Sequence, residues 1–329
     1  MRRSIATASE LAALAHALTG CSGVQSALDP AGAEAGSIAT LFWVMAVVGA
    51  AIWTAVTATL LCASRERRRL HSEAAAGHLI LWGGAIFPSV ILVVLLGYAV
   101  WLIPDIRPWS QGERGGLRIE VVGEQYWWRV KYLPAGGGPA VESANEVRLP
   151  VGERVDFTLQ SADVIHSFWI PSLGGKMDMV PGRVNRLSLK ATKSGTYRGA
   201  CAEFCGTSHA LMAFTVLAME PADFSSWLAR RASPSENATA PGYETFTAQG
   251  CAACHAVRGT DADGRIGPDL SHVGSRATIA AGILKNDESA IARFVSEPDV
   301  VKPGALMPAF GMLPTKDIAE IAAYLEGLQ

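Results

Sequence analysis

This sequence has no cysteine to spare for a disulfide framework and no surplus of positive charge. Six cysteines occur in 329 residues: Cys201 and Cys205 in one short motif, Cys251 and Cys254 in another, Cys21 in a processing-type motif, and Cys62 in an apolar run. No pair is left over to staple a fold, so this usage reads as metal and cofactor chemistry. The formal net charge is −2, which lacks the basic footprint of nucleic-acid binding. Charge is also missing locally: there is none from Ile38 to Cys62 and none from Gly77 to Ile103. Each run is long enough to cross a hydrocarbon core of ~30 Å. Together with 50% hydrophobic residues and a mean hydropathy of +0.23, this argues against a wholly soluble chain. Between the runs lies Arg65-Glu-Arg-Arg-Arg69. The positive-inside rule puts that loop in the cytoplasm, with the N-terminus and everything after Pro104 on the outer face.

The chain opens with the basic Met1-Arg-Arg3 and a moderately apolar stretch from Ile5 to Leu18, ordered like a secretory signal. It closes on Leu18-Thr-Gly-Cys21, which resembles a bacterial lipobox and implies cleavage before Cys21 and lipidation of its thiol. The expected division is therefore a leader at 1–20, a short outer segment at 21–37 and a transmembrane hairpin at 38–104.

From about Leu117 to Met219 apolar and polar residues alternate, as in Leu117-Arg-Ile-Glu-Val-Val122 and Arg154-Val-Asp-Phe-Thr-Leu159. Gly and Pro punctuate the runs at Pro134 to Pro139, Pro150-Val-Gly152 and Pro181-Gly182. Many short strands with turn signals predict an all-β sandwich or barrel, here over 105–229. A polar, small, Pro-containing stretch at 230–241 reads as a flexible linker. A helical domain at 242–329 follows, with helical spacing from Asp287 to Val295 and from Lys316 to Leu328 and Thr315 as an N-cap.

The chemistry is concentrated in Cys201-Ala-Glu-Phe-Cys-Gly-Thr-Ser-His-Ala-Leu-Met212. Thiolate, imidazole and thioether are the ligand set expected for copper. Two thiolates so close can bridge a pair of ions, and His166, in an apolar strand-like run, is the natural second imidazole beside His209. The rival is a Cys201–Cys205 disulfide, which leaves Glu203, His209 and Met212 unexplained. Farther on, Cys251-Ala-Ala-Cys-His255 is the c-type haem attachment motif, with His255 as one axial ligand. Low-spin iron needs a second, and a Met raises its potential. Met307 and Met312 are the only downstream methionines; Met307 is preferred and Met312 is the fallback. His272 reads as a surface residue.

Cys-x-Glu-x-Cys-x3-His-x2-Met with an upstream His resembles the dinuclear copper centre CuA of cytochrome c oxidase subunit II. With the hairpin and the haem motif, the resemblance covers nearly the whole chain after the leader, and is to those haem–copper oxidase subunits that carry a fused cytochrome c. It implies a cupredoxin barrel and an all-α cytochrome c fold. It also implies that Cys201 and Cys205 bridge two coppers, completed by His166, His209, Met212 and the Glu203 carbonyl, with the Glu203 side chain and Asp178 near a magnesium shared with subunit I. The Met-Pro at Met307 and the Gly267-Pro-Asp-Leu270 run resemble the haem loops of small cytochromes c. Gly123-Glu-Gln-Tyr-Trp-Trp128 resembles the aromatic run through which subunit II receives electrons. Tyr126 stands where the family has its entry Trp, beside Trp127. The chain departs from the family again at Leu81, where many members have a Glu feeding a proton channel.

The implied function is electron relay, from a donor through haem c and CuA to subunit I, where dioxygen becomes water and protons are translocated. The implied partners are subunits I and III, cytochrome c or a quinol–cytochrome c reductase as donor, and membrane lipid. The implied location is a bacterial inner membrane, both domains on the periplasmic face. A nitric oxide reductase could use the same relay; a Sco-type copper chaperone would need neither His209, Met212 nor a haem domain.

Overall fold

The computed structural model describes residues 21–65, 72–106, 116–133, 138 and 140–329. The expected leader, most of the arginine cluster and nearly all of the Pro134–Pro139 turn lie outside the described residues. The chain separates into two compact units, Ser37–Ser110 and the remainder.

A long, uncharged, mostly apolar run free of Pro gives helix α1, Ala33–Arg65, most of it in the smaller unit, with Glu34 in its first turn and Arg65 in its last. Both charges suit the helix dipole. Helix α2, Glu73–Leu79, is capped by Ser72, whose Oγ accepts from Ala75 N at 3.3 Å. It continues through a π-helical stretch, Ile80–Ile86, into α3, Phe87–Ile106. Phe87 N bonds Trp82 O, a one-residue slip just ahead of Pro88, which has no N–H to extend the ladder. Both helices are long and apolar enough to span a membrane, and their large side chains, Phe42, Trp53, Leu60, Leu92 and Leu96 among them, are exposed.

In the larger unit ten strands follow: β1 Arg118–Glu124, β2 Trp127–Leu133, β3 Val141–Ala144, β4 Glu146–Pro150, β5 Arg154–Ser161, β6 His166–Trp169, β7 Met177–Met179, β8 Asn185–Lys190, β9 Gly195–Cys201 and β10 Ala213–Met219. They form two five-stranded sheets, β3-β2-β1-β5-β8 and β4-β10-β9-β6-β7. The β1–β5 and β4–β10 pairs are parallel and the rest antiparallel. Period-two alternation sends Trp128, Val130 and Tyr132 of β2 and Val155, Phe157 and Leu159 of β5 into the space between the sheets. There Phe168 stacks on Phe214 with centroids 4.7 Å apart, and Trp128 meets both edge-on. Phe214 fits because β9 offers Gly199 beneath it; any Cβ there would run into the ring.

The segment before α1 is sewn to this sandwich. Ala31 N and Gly32 N donate to Ser172 O, and Thr192 N donates to Ala31 O. Buried Glu34 accepts from Arg154 Nη1 at 2.7 Å and from Lys190 N at 3.1 Å.

Helix α4, Pro221–Ala232, lays Phe224 and Trp227 against Tyr132. The stretch after it corrects one sequence expectation: the linker is packed, not loose. Ser235 and Ala238 are buried, Tyr324 Oη donates to Ala238 O at 2.8 Å, and Asn237 Nδ2 donates to Gly327 O at 2.8 Å. Its small residues, which suggested flexibility, let the backbone lie close against the next domain. That domain comprises α5 Tyr243–Ala248, a two-residue strand pair β11 Thr278–Ile279 and β12 Leu284–Lys285, α6 Glu288–Ser296, α7 Pro298–Val301 and α8 Thr315–Gly327. Asp287, not part of α6, caps it through Ala290 N at 2.9 Å. Thr315 is the first helical residue and Pro314 the cap, one position earlier than expected. Phe246 and Tyr324, with centroids 5.6 Å apart, centre the core.

Candidate metal centre and haem site

The loop between β9 and β10 and the start of β6 converge on one buried point. Cys201 ends β9, His209 begins a single 3-10 turn, and Met212 precedes β10. Sγ of Cys201 and Sγ of Cys205 are 3.8 Å apart, far beyond the ~2.05 Å of a disulfide. Nδ1 of His166 lies 3.9 Å from Cys201 Sγ, and Nδ1 of His209 lies 3.6 Å from Cys205 Sγ. Sδ of Met212 is 3.8 Å from Cys205 Sγ. The donor atoms of His166, Cys201 and Cys205 all fall within 4.8 Å of one another. Two reduced sulfurs, each faced by an imidazole nitrogen, with a thioether alongside, fit a pair of soft metal ions.

The supporting contacts fix these donors. His166 is fully buried, and its Nε2 is 2.7 Å from Asp163 Oδ1, which leaves Nδ1 to face the sulfur. Its ring fits only because Gly123 lies against it; a Cβ there would stand 2.9 Å from Cδ2. Burial works against protonating His166, but the bonds to Cys201 and Asp163 outweigh it and raise its pKa. Burial likewise opposes ionisation of Asp163, and hydrogen bonds from His166, Gln125 N and Val164 N overcome it. The contact with the Cys205 sulfur holds the Cys201 thiol well below its ordinary range, whereas Cys205 is driven upward by the Cys201 sulfur beside it. The Glu203 carbonyl oxygen lies 3.2 Å from Cys201 Sγ, while its side chain is exposed next to Phe204. Asp178 is engaged by Ser167 Oγ at 2.8 Å and by Lys176.

Tyr126 is 8% exposed, and its hydroxyl accepts from Thr207 N on the copper-type loop at 3.0 Å. Trp127 is half-buried under the Arg129 guanidinium, 4.7 Å from the ring centroid. Gln125 was not singled out by its sequence pattern, yet its Nε2 donates to Cys205 O at 2.6 Å. Asp163 and Lys302 were missed as well. A carboxylate three residues before a candidate ligand was the available signal for Asp163. Lys302 carries no local signal of its burial.

In the helical domain Cys251 and Cys254 flank a 3-10 turn, and His255 follows with Nδ1 2.8 Å from Pro268 O. That contact leaves Nε2 free, the nitrogen an iron ligand would use. Gly267 lies so close to the imidazole that a Cβ would overlap it. Met307 packs against the domain core, whereas Met312 is 78% exposed. His272 is not a free surface residue: Nδ1 and Nε2 face the carbonyls of Gln329 and Ser233 at 2.8 and 2.9 Å. These residues fit a covalently held haem.

The helical domain sits on the sandwich across the metal-type loop. Ser208 Oγ donates to Pro303 O at 2.6 Å, Ala213 N to Ala281 O at 3.1 Å, and Arg198 Nη1 to Gly282 O at 2.9 Å. Arg129 reaches the carbonyls of Arg265 and Ile266, and Glu146 accepts from Ala277 N. The Tyr126 ring lies against Gly304, where an added Cβ would be 3.2 Å away.

Buried soft donors with a haem motif docked beside them, in a chain that also carries two membrane-length helices, define a membrane-held redox protein. The family described as cytochrome C oxidase subunit II, periplasmic domain, matches residues 119–219, and the family cytochrome c matches 239–329. "Cytochrome c oxidase subunit 2" of Alkalihalophilus pseudofirmus is 33% identical, over 95% of this chain and 94% of its own length. The protein of the same name from Bacillus sp. strain PS3 is 31% identical over 80% and 78%. A crystal structure of the periplasmic domain of subunit II of cytochrome oxidase from Bradyrhizobium japonicum covers 37% of this chain and 96% of its own at 31% identity, with a TM-score of 0.34. The chain belongs to the cytochrome c oxidase subunit II family and carries a cytochrome c domain at its C-terminal end. It is a membrane subunit of an oxidoreductase complex, with periplasmic domains that imply copper and haem.

Proposed function

We propose that this subunit relays electrons from an external donor through haem c and a dinuclear CuA centre to subunit I of a respiratory oxidase, where dioxygen reduction to water is coupled to proton translocation. In this reading Cys201, Cys205, His166, His209, Met212 and the Glu203 carbonyl would hold the two coppers. Cys251 and Cys254 would hold the haem covalently, and His255 and Met307 would ligate its iron. When bound, both groups supply one-electron chemistry. The protein's part is to keep their ligands fixed: Asp163 orients His166, Pro268 orients His255, and Tyr126 braces the copper loop at Thr207. The exposed Glu203 and Phe204 at the loop tip are free to meet subunit I, with Glu203 reaching a shared magnesium. Subunit III, a cytochrome c or quinol–cytochrome c reductase as donor, and a bacterial inner membrane complete the assignment. Cys21, whose carbonyl accepts from Ser26 Oγ at 2.8 Å, is the lipid attachment point.

The observation that carries the reading is the seating of the haem domain on the copper loop. The chain bearing Met307 touches Ser208 and Tyr126 through Pro303 and Gly304. Tyr126, at the family's entry position, is covered by this protein's own cytochrome domain, so its substitution for Trp does not have to preserve a docking surface for a separate donor. The test is metal stoichiometry and low-temperature EPR on the full chain, haem-matured and copper-supplied. Two coppers per haem, with one unpaired electron shared equally between them, is expected. A single localised copper, or haem without copper, would overturn the relay.

A further inference from the structure

The cytochrome domain contains a buried lysine that neither the copper ligands nor the haem ligands require. Lys302 is 4% exposed. Among the described residues it takes part in no ion pair with a carboxylate. Its Nζ donates to Ala280 O at 3.2 Å. Burying a lysine amine without a carboxylate partner is costly, and here burial pushes its pKa down to about 7.

The place of Lys302 in the chain gives that arrangement a use. Ala280 and Ala281 adopt left-handed backbone with φ of 54° and 63°, a conformation that needs outside support in residues with a Cβ. The turn they form carries Ala281 O and Gly282 O, which receive Ala213 N and Arg198 Nη1 of the sandwich. Lys302 is followed directly by Pro303 and Gly304, which meet Ser208 and Tyr126. One side chain therefore ties together the two haem-domain turns that rest on either side of the copper loop, one beside Met212 and the other beside His209.

The geometry points to Lys302 as a positioning residue of the relay, a clamp that holds the turns at 280–282 and 303–304 in register so that the haem domain seats on the copper loop. The inference rests on the relay reading for its electron-transfer consequence; the clamp itself does not.

The test uses the full haem-matured, copper-loaded chain as wild type, Lys302→Met, Lys302→Gln and Lys302→Arg. Amide hydrogen exchange is followed in the peptides covering 206–214 and 277–284, and haem-to-copper electron equilibration after photoreduction of the haem. Lys302→Met is expected to speed exchange in both segments by up to about tenfold, as expected when a buried hydrogen bond is lost. It should also slow equilibration about tenfold, because transfer between held groups is sensitive to small misplacements. The haem absorption and copper EPR spectra should stay unchanged. Lys302→Arg should recover both readouts. If exchange and equilibration are unchanged in Lys302→Met, Lys302 is a tolerated buried lysine and the clamp is refuted. If Lys302→Met cannot be obtained folded, the same readouts pass to Lys302→Gln, where unchanged protection and rate refute it equally. Absence of any haem-to-copper equilibration in the wild type would count against the relay alone, since exchange protection would still report the clamp.

Discussion

At the scale of single residues, the cluster of soft donors was legible because they crowd into twelve positions, and His166 because an apolar strand carries it. What holds them was not. Asp163 precedes His166 by three residues, yet only the fold turns its carboxylate onto Nε2. A ligating imidazole whose other nitrogen loses its partner typically binds metal about 10–100-fold more weakly. Asp163→Asn should therefore lower copper retention by about that factor in chelator competition, with the haem spectrum unaltered. Equal retention would make Asp163 a bystander. Lys302 was illegible for a plainer reason. Lysines are almost always solvated, and the sandwich residue met by the adjacent Pro303, Ser208, is 95 positions away in sequence.

Elements were easier to read than their partners. Alternation located the strands, and Gly and Pro located the turns, but no pattern states that β1 lies parallel to β5 or that β10 lies parallel to β4. Strand pairing is decided by which apolar faces fit, and here the fit turns on Phe214 over Gly199. Phe214→Ala removes a fully buried ring stacked on Phe168 and should cost about 3–5 kcal/mol. A lowered thermal midpoint, with loss of the copper site before the haem, would check it. An unchanged midpoint would show that the sheets can close over the space. Helix α1 exceeds its uncharged run by a few residues at each end because Glu34 and Arg65 are good terminal-turn residues. The connector at 230–241 was misread because small polar residues suit both loose and closely packed backbone, and only the contacts from Tyr324 and Asn237 distinguish the two.

At the scale of the whole molecule, the two periplasmic domains behave as one body. Contacts from Arg129, Arg198, Ser208, Ala213 and Glu146 would survive a break in the connector. Proteolytic nicking between residues 233 and 242 should leave the haem fragment co-migrating with the rest of the detergent-solubilised chain in size-exclusion chromatography. Separation of the fragments would mean that the tether, not the interface, keeps the domains together. The sandwich contributes mostly side chains to this contact, and the cytochrome domain contributes mostly main-chain oxygens: those of Arg265, Ile266, Ala281, Gly282 and Pro303. A peptide oxygen is the same whatever residue bears it. The cytochrome surface can thus drift in composition while the arginines opposite still find their acceptors, provided the turns keep their shape. Correlated substitution between the two halves should be faint along this seam, and the covariation that usually betrays a contact would overlook a junction held by the polypeptide backbone.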